Sequence, residues 1–267
     1  MTKKGRKRSS LPLTDMPITP AHMPFFDHIA ELRRRIIVVA ITIIVGSMGL
    51  YYWGWDIFNM VMAPITPLLE GAKWQIFTPF GTFGLRFTVA FYASLVVGGP
   101  IIIWQVMAFF LPALKERERR YVIPTFAALV VLFSAGVTFC YMVILGTAFQ
   151  WIFSQGGSSI GQTPDAAKYF QGVIMMLLGF GIGFELPVVV FYLVIFNIVP
   201  YAKLRSSWRI VYVVLMLVAS AATPDWSPWT MGGLYAALVA LYEVSMLLAR
   251  VTLRKRIAAQ KLAEAEV

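Results

Sequence analysis

The chain has 267 residues, of which 59% are hydrophobic and only 13% charged, with a formal net charge of +10 and one cysteine. That balance excludes a soluble domain and leaves room for about six membrane spans joined by short loops. The lone Cys140 excludes an intrachain disulfide or a multi-cysteine metal site, and the apolar runs make the positive charge a matter of membrane orientation rather than of nucleic-acid binding.

Residues 1–24 open with KKGRKR and continue through Pro12, Pro17, Pro20 and Pro24, which predicts a disordered basic arm. A secretory signal would also start with basic residues. Here, however, the first apolar run begins only at Ile36, is too long, and has no small-residue cleavage site after it, so it reads as a retained anchor. Between arm and membrane, FFDHIAELRRR offers Asp27 as a helix cap and Ile29, Leu32 and Ile36 at helical spacing. This predicts an amphipathic helix lying on the surface before the chain dives. His28, Glu31 and Arg35 share one of its faces, and Glu31 can pair with Arg35; spacing alone favours a solvated charged face with a positive-inside anchor.

The first span is expected at Ile36 to Trp53. After it, Trp55, Phe58, Met62 and Ile65 predict an interfacial helix on the outer surface, interrupted by Pro64 and Pro67. A second span lies in the uncharged run Phe87 to Leu114, with a kink at Pro100. Gln105 sits ~9 Å inside its inner end and wants a polar partner. The third span is expected at Val122 to Gly146, followed by a glycine-rich outer loop.

The fourth span, within Tyr169 to Phe196, carries one acid. As a helix its length is ~42 Å, and Glu185 lies near the middle, where a carboxylate costs several kcal/mol unless water, a partner or protonation relieves it. An intramembrane acid is by default a functional hypothesis; the alternative is a protonated side chain bonded to a neighbouring helix. Pro187 should bend this span, and Gly179, Gly181 and Gly183 permit close helix contact or a hollow. The fifth, Ile210 to Ala222, is too short to cross alone at ~20 Å, and must thin the bilayer, snorkel Trp208 and Arg209, or border a water-filled hollow. After the tip TPDWSPWT comes the last span, Trp229 to Ala249, with Glu243 near its inner end, where it can pair with Gln105 or snorkel outward. A basic tail, residues 250–267, closes the chain. Apart from Lys73, Arg86 and Lys168, all 23 Lys and Arg residues fall on one side of these spans. The positive-inside rule makes that side the cytoplasm and puts both termini there.

Several of these segments together resemble one family. HIAELRRRI looks like the opening signature of the TatC family, the multispanning receptor subunit of the twin-arginine (Sec-independent) protein translocase. GGPIIIWQVMAFFLPALKERERR resembles its second span and first cytoplasmic loop, with Pro100, Gln105, Phe109, Pro112 and Glu118 on the pattern. Pro64 matches a proline of the first outer loop, and PDAAKYF, with Asp165 and Tyr169, resembles the start of the fourth span. TPD, with Asp225, resembles the motif between the last two spans, but has one proline where TPPD is usual and SPW where SQ often follows.

The resemblance implies an all-α integral membrane protein of six transmembrane helices, spanning residues 25–249, in which a bent fourth helix and a short fifth/sixth hairpin form a concave bundle. It implies a prokaryotic plasma-membrane location and signal peptides with paired arginines, borne by folded cargo, as ligands. Recognition would fall on Glu31 and Glu118, with His28, Arg33, Arg35 and Phe109 shaping the surface. Glu185 would receive a polar group of an inserted peptide or partner helix inside the hollow. The single-span TatA and TatB are implied partners, in a larger complex containing several copies of the chain. Energy would come from the proton gradient, and no cofactor, metal or nucleic acid is implied.

The residues themselves argue the same way. There is no HExxH, GxSxG or nucleotide fingerprint, and the two histidines, His22 and His28, lie outside the spans, so an enzyme is not indicated. Carboxylates on the cytoplasmic side, Glu31 and Glu118, suit a receptor for a basic peptide through charge-assisted, bidentate hydrogen bonds. The rival is a proton-coupled small-solute carrier using Glu185 and Glu243, which the lack of an inverted repeat opposes.

Overall fold

The computed structural model describes residues 25–69, 71–110, 122–155, 163–195, 199–223 and 227–252. Every regular element among them is a helix. The basic arm, Glu118 and Asp225 lie outside the described residues, as does the tail beyond residue 252.

The first helix, α1 (Phe25–Leu50), is continuous. The separate surface segment expected before the first span is therefore part of that span's own helix, because neither Gly nor Pro occurs between residues 25 and 45 to break it. Just beyond its end, Arg86 donates to the carbonyls of Tyr51 (2.9 Å) and Tyr52 (2.8 Å), while its guanidinium lies 4.7 Å from the Tyr51 ring centre. A helix terminus leaves carbonyls without partners, and Arg86 supplies them at this one. The chain then turns by 94° into α2 (Gly54–Met62). Gly54 is needed there because a Cβ would come within 2.7 Å of Arg86 Cγ. Arg86→Gln is expected to lower stability by about 1.5–3 kcal/mol, the worth of charge-assisted hydrogen bonds. Thermal unfolding in detergent reads this, and an unchanged midpoint would show that the corner does not depend on Arg86.

Two helices, α3 (Gly81–Val97) and α4 (Gly99–Phe110), meet at 54°. The kink expected at Pro100 is present: Pro100 has no N–H to continue the ladder, and Gly98 lies in the junction itself. Helix α3 packs along α1 through small residues. Ser47 and Ser94 hydroxyls are 3.1 Å apart there, beside Gly46.

The third span, α5 (Val122–Ser154), runs 33 residues, longer than expected, and contains a π turn at Cys140–Ile144. The isolated Gly146 does not end it, because one glycine weakens a helix without breaking it.

The fourth span comprises α6 (Ala166–Gly183) and α7 (Leu186–Ile195), interrupted at Phe184 and Glu185. Glu185 N–H there bonds Ile182 O, three residues back, at 3.0 Å. Together the two helices form one 29-residue candidate span, Ala166–Val194. Asp165 caps it, its Oδ1 accepting from the backbone N–H of Ala167 (2.9 Å) and Lys168 (3.3 Å). Tyr169 sits among Trp74, Phe149 and Phe153, with centroids 5.6–6.0 Å away. Backbone bonds from Gln75 to Pro164 (2.8 Å) and from Ala166 to Gln75 (2.9 Å) close this end. Asp165 and Tyr169 thus hold the loops at this end together. Pro64 is half-buried in the turn that follows α2.

The short α8 (Tyr201–Ser206) leads into α9 (Trp208–Ala222), whose 15 residues reach ~22 Å. It includes Trp208 and Arg209, the two residues expected to extend it. The last helix, α10 (Pro228–Thr252), packs on α7, α9 and α5. The core lies where α2, α5, α6 and α10 converge, around Met62, Leu145, Phe170, Phe180 and Leu238. Close approach is what Gly136 provides: a Cβ on α5 would lie 2.6 Å from Phe180 O.

Candidate functional site: an arginine-centred network and an unpartnered acid

Two helix faces meet where the start of α1 lies against the end of α4. On α1, His28, Glu31 and Arg35 recur at three and four residues; on α4, Gln105 and Phe109 lie one turn apart, so the faces match turn for turn. The His28 ring stacks on Phe109 with centroids 4.4 Å apart. Arg35 donates from Nη1 to Gln105 Oε1 at 3.0 Å and from Nη2 to Glu31 Oε1 at 3.1 Å. Gln105 therefore has the polar partner it required, and that partner is Arg35 from 70 residues away.

The Glu31 side chain is only 20% exposed, yet its second oxygen carries no hydrogen bond among the described residues and is not sealed off. A half-buried carboxylate with one oxygen held and one open can accept a guanidinium in a less screened setting than a surface charge. Arg33 is exposed outside this network, beside Arg34, and Glu118 lies outside the described residues.

Deeper in the chain, Glu185 occupies the interruption of the fourth span. Both its carboxyl oxygens are buried without a hydrogen-bond partner among the described residues. A groove of about 530 Å³ does form between α6, α9 and α10, lined by Met175, Gly179, Ile182, Leu186, Val218 and Ala222 among others. Glu185 is not among its lining residues. Ile182 and Leu186 give the groove its wall, and the turn between the two helices carries the acid off that face. Just beyond, α10 is hooked to the fourth span by Ser245 Oγ, which donates to Pro187 O at 2.9 Å.

Glu243 pairs with neither Gln105 nor water alone. Arg205 Nη1 reaches both its oxygens at 3.1 and 3.0 Å, and Tyr212 donates to Oε1 at 2.8 Å. The cause is position: Glu243 faces the start of α9, while Gln105 is engaged on the α1 side. Sequence reading missed Arg205 and Tyr212. A usable signal was present, since an acid one or two turns from the inner end of the last span is within reach of the basic loop that leads into its hairpin partner.

Comparisons with known proteins come to the same architecture. A profile of the family described as "Sec-independent protein translocase protein (TatC)" matches residues 27–236. The chain is 33% identical over 243 residues to the TatC protein of Deinococcus radiodurans, covering 90% of each. It is 32% identical over 202 residues to that of Escherichia coli K12, covering 75% of this chain and 78% of the other. A crystal structure of the twin-arginine translocase receptor TatC superposes with a TM-score of 0.71 at 26% identity, over 84% of this chain and 98% of that one. A second, in the detergent DDM, gives 0.72 at 25% identity, over 83% and 99%. With the profile spanning most of its length and its helical fold shared, the chain belongs to the TatC family: it is a multi-pass plasma-membrane component of the Sec-independent protein translocase, and not an enzyme.

Proposed function

We propose that this chain is the receptor subunit that binds twin-arginine signal peptides of folded proteins at its cytoplasmic face and organises TatA and TatB for export driven by the proton gradient. The observation that carries the reading is the network above, in which the half-buried Glu31 keeps an oxygen open for a ligand guanidinium. Glu31 and Glu118 bind the arginines, and His28, Arg33, Arg35 and Phe109 shape the surface around them. Arg35 holds Glu31 in place, and Gln105 holds Arg35. Glu185 serves within the membrane, toward a partner helix or an inserted peptide. Several copies assemble in the working complex. The direct test is whether the purified protein binds a signal peptide bearing RR and not one bearing KK. Equal binding of both would remove bidentate recognition.

In this reading the chain crosses the membrane six times. Three helices are long and apolar enough on their own, two bent pairs, His28–Leu50 with Gly54–Met62 and Gly81–Val97 with Gly99–Phe109, supply two more, and α9 is the short sixth. Residues 1–24 and 250–267 are cytoplasmic extensions of the membrane domain formed by residues 25–249. With the buried Cys140 replaced, Gly71→Cys is expected to react with an impermeant thiol reagent from outside intact cells and Ser206→Cys is not. Both positions are exposed. External labelling at 206 would invert the topology.

A further inference from the structure

The ion pair at the inner end of the last hairpin borders a cleft that neither the peptide network nor the fourth-span acid uses. The cleft is about 500 Å³ and is lined by Arg205, Trp208, Tyr212 and Glu243. Its one acid is already satisfied: Arg205 Nη1 and the Tyr212 hydroxyl bond Glu243. Arg205, however, spends only Nη1 on that pair. Its Nη2 and Nε make no hydrogen bond among the described residues, and its side chain is 55% exposed. Beside it, the Arg209 guanidinium stacks 5.4 Å from the Trp208 ring centre, and Lys203 is exposed in the preceding helix α8. With Arg205 and Glu243 cancelling in charge, Arg209 and Lys203 leave this end with an excess of positive charge.

The apolar surroundings continue from this cleft. Trp208, Tyr212 and Met216 recur every fourth residue, and Met216 is 48% exposed, with Ala240 exposed on the facing helix. Helix α9 is also the short one, at ~22 Å against a ~30 Å hydrocarbon core, so polar headgroups must sink toward its ends. A cationic cleft at that level, opening onto an apolar track, matches a molecule with an anionic head and hydrocarbon tails.

We propose that the cleft at the inner end of the α9/α10 hairpin binds the phosphate of an anionic phospholipid, held by Arg205 and Arg209 with Trp208 at the level of the glycerol backbone. The site fills the mismatch left by α9, and it is independent of the signal-peptide reading.

Native mass spectrometry of the delipidated full chain, titrated with phosphatidylglycerol and with phosphatidylcholine of the same acyl chains, tests this. The wild type is expected to retain phosphatidylglycerol several-fold better. Arg209→Gln removes a cation that makes no hydrogen bond among the described residues, so the fold is spared, and retention is expected to fall about fivefold, as for one basic residue at a membrane surface. Glu243→Gln, which keeps an acceptor for Tyr212 and removes the negative charge, is expected to raise retention. Arg34→Gln, an exposed cation on the same side, is expected to leave it unchanged. Equal retention of the two lipids, or an equal fall with Arg34→Gln and Arg209→Gln, would overturn the site. So would displacement of the lipid by millimolar glycerol phosphate, which would make a soluble phosphate the occupant.

Discussion

Glu185→Leu is expected to raise the thermal stability of the isolated chain while cutting export of folded cargo by about one to two orders of magnitude. The two effects have opposite signs for one reason. Both carboxyl oxygens are buried without a partner among the described residues, and a buried polar group left unsatisfied costs about 1–3 kcal/mol, which an apolar side chain of similar size does not incur. In the proposed reading, a residue retained at that cost inside the chain is stabilised in the working translocase by a polar group of a partner helix or an inserted peptide. Glu185→Gln keeps the size and the hydrogen-bonding capacity, so it is expected to retain most of the export. Export and signal-peptide crosslinking, measured together for the two variants, separate this from proton carriage. If the Gln variant binds peptide fully but exports no better than Leu, the titrating group itself is required, and the reading of Glu185 as a receiver of a polar group fails. The apolar groove on the neighbouring face is not expected to respond to either substitution, because Glu185 does not line it.

The second large effect is expected in the network between α1 and α4. Glu31→Ala should weaken binding of a twin-arginine peptide by about one to two orders of magnitude, the worth of one charge-assisted pair, and Glu118→Ala should do the same. Gln105→Leu contacts no ligand in this reading, yet it removes the 3.0 Å bond that fixes Arg35 and so the bond Arg35 makes to Glu31. It is expected to weaken binding by less, and Gln105→Glu, which keeps an acceptor for Arg35, to restore it. In the double variant of Glu31 and Gln105 the losses should not add, since the second position acts only through the first. Photocrosslinking of a labelled peptide to reconstituted protein measures all of these. Additive losses would show that Gln105 acts on the peptide by a separate route, and unchanged crosslinking of Glu31→Ala would end the assignment.

How much of this was legible beforehand follows from where each signal resides. The apolar runs, the corner at Pro100, the shortness of α9 and the shared face of His28, Glu31 and Arg35 are properties of single segments. Backbone hydrogen bonding within one helix dictates its rise, its period and the places where Pro or paired glycines interrupt it, so these can be read from the residues alone. The family motifs, too, are local strings, and they pointed to the same architecture that the comparisons support. The continuity of α1 and the full length of α5 were less legible, because a helix ends where its apolar face loses its packing and not where its charge changes.

What the sequence by itself determined, then, is the membrane class, the segments that can cross, the uneven distribution of positive charge between the two sets of loops, and the α1 face that His28, Glu31 and Arg35 share. Tertiary structure alone decided which side chains from separate helices meet. It paired Gln105 with Arg35 rather than with Glu243, gave Glu243 to Arg205 and Tyr212, set Arg86 over the carbonyls at the end of α1, and turned Glu185 off the groove. The physical reason is that the rotation and depth of one helix against another are set by the summed contacts of small residues such as Gly46, Gly136 and Ser94 on different segments. No hydrogen bond within any one helix carries that information.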